Sequence, residues 1–431
     1  MSILNNMRYT VWKILEQSKN DSICKRKENI EKCITDDSYY SRNIQDHLEN
    51  IIKYASEKTV FYEAYKGKKF EDYPIINKNI IMNNRENFES SEFKGVPVHV
   101  KSTSGSTGIP FKINQDVKKR KQVLAELLYF SELIGYYPGK KLIYLRNLET
   151  GLKKSKWKQF LQNEAVISVQ KYNDETLKKI VNQIQHMEKK TTILGYASTL
   201  QVLANYMERK NIVLNNITGI ISGAEAITNR ARKLVEKQFN CPVVSRYSNQ
   251  EMGILGQDSK EDEFLLNRAS YYFEMLALDK DEPVPLGEIG RIVITDLYNH
   301  AMPLIRYDTG DLGIMKKNAK GQNYLAKVLG RKLDLLYNTS NEPLSFFSLD
   351  ECFEENLDIE QFQIIQEDRF HLIINLIMKQ GKSIEEASIR KKVQKIMGKE
   401  CNVEIRYSEQ IPITNSGKFR YVICNYQPDN K

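Results

Sequence analysis

Between Lys141 and Tyr247, short apolar runs alternate with longer amphipathic ones, and this alternation constrains the fold more than any other feature of the chain. KLIYLRN, AVISVQKY, TTILGY, ITGIISG and CPVVSRY have the length and β-branched content of buried strands, whereas DETLKKIVNQIQHMEKK, STLQVLANYMERK and AITNRARKLVEKQF show helical spacing. Strands separated by helices are not joined as hairpins. They line up in a largely parallel sheet with helices on both faces, so the expected class is α/β. Ligands of such sheets collect at the carboxyl ends of the strands. Here those ends are Gly195-Tyr196, Ser222-Gly223-Ala224-Glu225 and Tyr247-Ser248-Asn249-Gln250-Glu251.

The texture changes on either side of this stretch. Residues 1–95 read as mostly helical and polar, with Ile51, Ile52, Tyr54 and Ala55 on an apolar face. VPVHVKS and FKIN read as two strands joined by a Ser/Thr/Gly loop, followed by a helix from about Val117 that stops at Pro138-Gly139. Over residues 261–330 the helices cease and hairpin-like runs appear, predicting a β-subdomain packed on the sheet. From residue 331 to 431 the order is strand, strand, helix, strand, a small α+β lid domain that follows a large N-terminal domain of residues 1–330.

Composition removes several function classes. Lys and Arg number 64 against 55 Asp and Glu, a net charge of +9, yet residues 331–431 hold 14 basic and 16 acidic side chains, so the excess lies earlier. It is spread through helices as Lys pairs, and the Tyr and Phe residues sit in apolar strands rather than among cations, which speaks against nucleic-acid binding. The six cysteines show no C-x-x-C spacing and the five histidines no H-x-x-x-H, so neither zinc nor a disulfide framework is expected. The most apolar stretch, VLAELLYFSELIGYY, is broken by Glu126 and Glu132 and falls short of the ~20 residues of a membrane span. The amphipathic N-terminal stretch lacks the apolar core of a signal peptide, and the cytoplasm is the expected location.

Four segments carry chemistry. In Thr103-Ser104-Gly105-Ser106-Thr107-Gly108, glycines let backbone N–H groups approach an anion and hydroxyls add rotatable donors, which suits phosphate; a flexible polar turn is the alternative for this segment alone. It is not a Walker loop, because no Lys follows the second glycine and the loop joins strands. In Pro303-Leu304-Ile305-Arg306-Tyr307-Asp308-Thr309-Gly310-Asp311, the final carboxylate offers two acceptors to the adjacent hydroxyls of a ribose. Gly330-Arg331 stands at the domain boundary, and Ser416-Gly417-Lys418 near the end can present an ammonium to an anion.

Taken together, in this order and spacing, these segments resemble the adenylate-forming acyl ligases, and among them the phenylacetate coenzyme A ligase branch with its relatives in capsular polysaccharide biosynthesis. The resemblance runs from Val96 to Arg420 through the T-G-x-P loop, G-A-E, Y-x-x-x-E, P-L-I-R-Y-x-T-G-D, G-R and a terminal G-K. It implies activation of a small carboxylic acid by ATP and Mg2+ to an acyl adenylate, then transfer to coenzyme A, an amino sugar or a carrier thiol.

Residue by residue, the resemblance implies that Thr103, Ser104, Gly105, Ser106, Thr107 and Gly108 cradle the β and γ phosphates. Gly223, Ala224 and Glu225 border adenine and the acyl pocket, Tyr247 stacks on adenine with Ser248 beside it, and Glu251 holds Mg2+. Asp311 and Arg331 take the ribose, and Lys418 meets the α phosphate. Leu333 departs from the pattern, standing where the branch has the first of two aspartates, so that only Asp334 remains. The competing expectation is a non-catalytic binding protein built on the same fold.

Overall fold

The structure is a computed structural model that describes residues 3–103, 111–146, 156–169, 173–258, 263–331, 335–344, 346–353, 355–356, 358–412 and 419–426. The chain opens with helices α1 (Ile3–Gln17), α2 (Ile23–Thr35), α3 (Asp37–Lys58), α4 (Lys78–Asn83) and α5 (Arg85–Phe88). Polar residues fix the starts of α2 and α3. Ser22 accepts from the Lys25 N–H and Asp36 from the Tyr39 N–H, satisfying donors that a helix start leaves open. Strands β1 (His99–Thr103) and β2 (Phe111–Gln115) form an antiparallel hairpin, and α6 (Val117–Glu132) follows behind an Asp116 cap.

The expected alternation is then realised as β3 (Leu142–Arg146), α7 (Lys156–Gln162), β4 (Glu164–Ser168), α8 (Asp174–Gln185), β5 (Thr191–Tyr196), α9 (Ala197–Arg209), β6 (Ile217–Gly223), α10 (Asn229–Phe239) and β7 (Val243–Asn249). Antiparallel strands continue the chain: β8 (Gly253–Asp258), β9 (Phe264–Leu266), β10 (Tyr271–Leu276), β11 (Ile289–Asp296), β12 (Tyr307–Lys317) and β13 (Asn323–Arg331). All these strands from β3 onward share one sheet of 11 strands, ordered β10-β11-β12-β13-β9-β8-β7-β6-β5-β3-β4.

The sheet is therefore mixed, parallel from β4 to β7 and antiparallel from β7 to β10. The strands of residues 261–330 do not pack on its face as a separate layer. After β7 the chain reverses within a few residues into β8, whose pairing with β7 extends the same ladder, so a β-rich stretch becomes the other half of the sheet.

A fully buried ion pair, Lys119 Nζ to Asp296 Oδ2 at 2.8 Å, ties α6 to β11. Tyr271 joins it, its hydroxyl accepting from Lys119 at 3.1 Å and donating to Glu126 at 3.2 Å. Glu126, which interrupts an apolar run in the sequence, also accepts from the Ile254 N–H at 3.1 Å. Removing one partner from such a network costs about 3–5 kcal/mol, because the other charge stays buried.

The remaining elements are the short ladder β14 (Leu336–Tyr337) with β15 (Pro343–Leu344), then α11 (Phe346–Asp350), β16 (Ile359–Gln366), β17 (His371–Met378), α12 (Glu386–Met397), β18 (Asn402–Tyr407) and β19 (Val422–Cys424). The last four strands make a separate sheet, β18-β17-β16-β19, with an apolar core of its own built on Phe353, Phe362, Ile364, Leu372 and Val393.

Candidate active site

Strands β5, β6 and β7 are adjacent and parallel, and their register sets Tyr196 beside Gly223 and Gly223 beside Arg246. The three carboxyl ends singled out in the sequence thus form one edge. The antiparallel half reaches the same edge from the other side. Tyr247 donates its hydroxyl to Asp311 Oδ2 at 2.9 Å, and Asp311 on β12 lies across from Arg331, the last residue of β13. Burial pushes the Asp311 carboxyl up to about 6, against the opposing pull of the Tyr247 hydroxyl and the Arg331 charge.

Burial also raises Glu251, with Lys78 and Arg331 acting on it in the opposite sense. Tyr307, whose hydroxyl is raised first by burial, then feels Glu251, Asp311, Asp308 and Arg331. The candidate residues of three distant segments are therefore one electrostatic neighbourhood.

The Thr309-Gly310-Asp311 segment, which the motif suggests as a turn closing a strand, instead lies inside β12 at a register shift against β11, because pairing with β11 resumes at Leu312. Arg291 pairs with Asp308 at 2.8 Å, Asp308 accepts from the Gly310 N–H at 2.8 Å, and Gly310 turns with φ +77, a value that suits a residue without Cβ. Arg306 takes φ +51 although it is not glycine. Its guanidinium is fixed by Glu274 at 3.0 Å and by the carbonyls of Glu71 and Tyr73 at 2.8 and 2.9 Å, and these bonds outweigh the backbone strain.

The hairpin bearing the phosphate-type loop stands at the same place. Thr103 pairs with Phe111 at its base, and Gln115 at the end of β2 donates to the Glu251 carbonyl at 2.9 Å. Ser104, Gly105, Ser106, Thr107 and Gly108 lie outside the described residues, as do Leu333, Asp334 and Lys418. Phe419, next in sequence after Lys418, is described, and its N–H donates to Glu225 Oε1 at 2.7 Å. The other oxygen of Glu225 accepts from the Ser198 N–H in the first turn of α9 at 2.9 Å, where a negative charge also meets the positive end of the helix. Ala224 before it adopts φ +66, and Ser248 is exposed at the end of β7.

Several participants carried no motif. Lys78, from the N-terminal region, acts on Glu251 because residues 76–78 are strapped to β12: Ile76 N–H donates to the Arg306 carbonyl at 3.1 Å and Asp308 N–H to the Ile76 carbonyl at 2.8 Å. Lys101 on β1 and Arg120 on α6 crowd each other beside the hairpin, and burial lowers both. A lone cation in a lysine-rich chain gives no sequence signal; only the fold gathers them.

Around α9 the second sheet docks on the first. Tyr421 donates to Gln201 at 2.9 Å, Gln201 and Asn205 both donate to the Glu360 carbonyl at 2.9 and 3.3 Å, Arg209 reaches the Glu360 carboxylate at 2.8 Å, and Lys379 reaches Glu208 at 2.8 Å.

Residues 336–425 match the family described as the CapK C-terminal domain. Protein CapK of Staphylococcus aureus is 27% identical over 341 residues, 75% of this chain and 73% of that protein. The phenylacetate-coenzyme A ligase of Thermus thermophilus is 31% identical over 126 residues, 27% of this chain and 28% of that enzyme. The chain is thus similar to CapK over three quarters of its length and to a phenylacetate-coenzyme A ligase over about a quarter. Its fold is that of the adenylate-forming acid-coenzyme A ligases. A 2-hydroxyisobutyryl-CoA ligase in the postadenylation state superposes with a TM-score of 0.72 at 15% identity, covering 91% of both chains. The same ligase in its thioesterification state gives 0.57 at 18% identity, covering 92% of both. The chain therefore has the mixed sheet and the smaller C-terminal sheet of that fold.

Proposed function

We propose that the chain is an enzyme that joins a small carboxylic acid to ATP, releasing pyrophosphate, and passes the acyl group from the resulting adenylate to coenzyme A or another nucleophile. The observation that carries this reading is the convergence of Tyr247, Glu251, Asp311 and Arg331 at one sheet edge, with the residue after Lys418 bonded to Glu225 at that edge. Attack by a carboxylate on the α phosphorus brings two anions together, so the protein's task is to place cations and exclude water rather than to supply a nucleophile.

In this reading Tyr247 lies along adenine, with Gly223, Ala224 and Ser248 bordering it. Asp311 and Arg331 hold the ribose, residues 103–108 the outer phosphates, and Lys418 the charge that grows at the α phosphate. Lys78, Lys101 and Arg120 add positive potential around the phosphates. Glu251 fits Mg2+, a hard cation that takes one or two protein carboxylates and completes its shell with phosphate oxygens and water, and that neutralises phosphate charge when bound. We place the boundary between a 1–330 adenylation domain and a 331–431 lid at Gly330-Arg331.

The acid and the acceptor form the finer part of the proposal: coenzyme A is the first choice, with an amino sugar or carrier thiol the alternatives that relatives in polysaccharide biosynthesis suggest. No helix among the described residues is long and apolar enough to cross a membrane, and we assign the reaction to the cytoplasm, where ATP and coenzyme A are available.

Acid-dependent exchange of pyrophosphate into ATP, screened over small carboxylic acids, tests the reading. Lys418→Ala is expected to slow exchange by about 100-fold or more while ATP affinity stays near wild type, as befits a contact made in the transition state. Glu251→Gln is expected to raise the Mg2+ requirement. Exchange absent from the wild type with every acid, while ATP still binds, would favour the binding-protein reading instead.

A further inference from the structure

Helix α1 is mounted inside out. Asn5 and Glu16 are its buried side chains among those described, and they face the protein. Asn5 donates to Glu188 at 2.7 Å and accepts from Asn163 at 3.2 Å, while Glu16 accepts from the Ile23 N–H at 3.1 Å. Arg8 donates to the Phe160 carbonyl at 3.1 Å. The docking is close: a Cβ on Gly139 would stand 2.7 Å from the Asn5 carbonyl oxygen.

What α1 leaves outside is its apolar stripe. Leu4, Met7, Val11 and Ile14 follow helical spacing, with Leu15 beside them, and are 49, 58, 55, 61 and 60% exposed. Neighbouring α7 repeats the pattern, with Trp157 72% exposed and Phe160 and Leu161 at 56 and 63%. Arg8 bridges the two helices, its guanidinium 5.1 Å from the Phe160 ring centre. Single exposed apolar side chains are ordinary, but eight on two contiguous helices mark a surface that something covers.

Charge decides what covers it. The α7 segment carries Lys156 and Lys158 on either side of Trp157, α1 carries exposed Lys13, and Lys189 and Lys190 follow Glu188. The acids nearby are already engaged: Glu188 by Asn5 and Asn163, Glu16 by Lys19, and Glu132 by Lys27 at 2.6 Å. A second copy docked here about a two-fold axis would bring cations against cations. An apolar stripe with tryptophan and a cationic rim is instead complementary to an anionic bilayer surface, where the side chains enter the acyl boundary and the lysines meet headgroups. We propose that the α1–α7 face attaches the protein peripherally to anionic lipid.

The chain's two tryptophans, Trp12 and Trp157, lie on these two helices, so intrinsic emission reports the event. The full chain is floated with vesicles of phosphatidylcholine alone and of equal parts phosphatidylcholine and phosphatidylglycerol. Flotation with the second only, a blue shift in emission, quenching by brominated acyl chains and release by salt are expected. Met7→Ser, Val11→Ser and Ile14→Ser combined should abolish flotation. Lys156→Glu with Lys158→Glu should weaken partitioning at least about tenfold. Met7, Val11 and Ile14 are exposed, so the melting temperature of the triple variant should match wild type. The quenching measurement needs no variant if one fails to fold. Wild type left in solution by both vesicle types, equal flotation with neutral vesicles, or a dimer in solution lost in the triple variant would each overturn the proposal, the last assigning the face to a second copy.

Discussion

Asp311 shows how one residue's surroundings set its chemistry. Its carboxyl is raised to about 6 from 3.8 because burial outweighs the help of Tyr247 and Arg331. The folded chain therefore binds this proton more tightly than the unfolded chain does. Between those two pH values the folded state carries more protons, so this group's contribution makes stability fall as pH rises toward about 6 and stay level above it. Asp311→Asn should remove that slope in thermal melts taken across the range. In pyrophosphate exchange, KM for ATP should rise as pH falls through about 6, since a protonated Asp311 loses acceptor capacity toward ribose. Tyr247→Phe deletes a bond that favours the charged form and should move the inflection upward by about one unit. An inflection unmoved by both substitutions would take Asp311 out of the nucleotide site.

At the scale of elements, β6 holds two glycines with opposite reasons for being there. A Cβ on Gly219 would fall 2.4 Å from Ile134 Cγ1 and 3.1 Å from the Ile134 carbonyl oxygen, so the strand passes directly under the end of the α6 segment. Gly219→Ala should destabilise the protein by about 1–3 kcal/mol, read as a lowered denaturation midpoint. A Cβ on Gly223 would meet only Leu194 Cδ1, at 3.9 Å. Gly223→Ala should leave stability within about 0.5 kcal/mol; a loss of ATP use at unchanged stability would then mark the position as a nucleotide contact. Equal stability losses in the two variants would show that β6 is constrained by packing along its whole length.

The whole molecule is organised around the seam between its two sheets. Glu225 accepts hydrogen bonds from both sides of it, from Ser198 on α9 and from Phe419 near the end of the chain, while Gln201 meets Tyr421 further along α9. Glu225→Ala leaves both N–H donors without that acceptor, at a cost of roughly 1–3 kcal/mol concentrated on the docked arrangement. Limited proteolysis between residues 330 and 343 should be faster in this variant than in wild type, and ATP with the acid should slow cutting of the wild type. A segment equally resistant in both proteins and in every ligand state would mean that the sheets are fixed together and that the boundary at Gly330-Arg331 is no hinge.

The α/β alternation, the β1–β2 hairpin, the strand and helix order after residue 350 and the positions of Tyr247 and Glu251 at or just after the end of β7 were all legible in the sequence. Each depends on local physics: hydrophobic period, capping side chains and turn chemistry act within a few residues. The adjacency of Tyr247 to Asp311 was not local, since 64 positions separate them, and it entered the sequence reading only through the order of motifs. Tertiary structure alone decided the rest. It merged the β-rich stretch into the parallel sheet, because strand pairing depends on which edge is free. It turned Glu126 from an interruption of an apolar run into a buried acceptor, and it brought Lys78, Lys101 and Arg120 to the site through contacts between distant segments. It also reversed the sense of α1. The sequence shows an amphipathic helix, but an amphipathic pattern states only that two faces differ; which face turns inward was set by Asn163, Glu188 and the close approach at Gly139, residues more than 100 positions away.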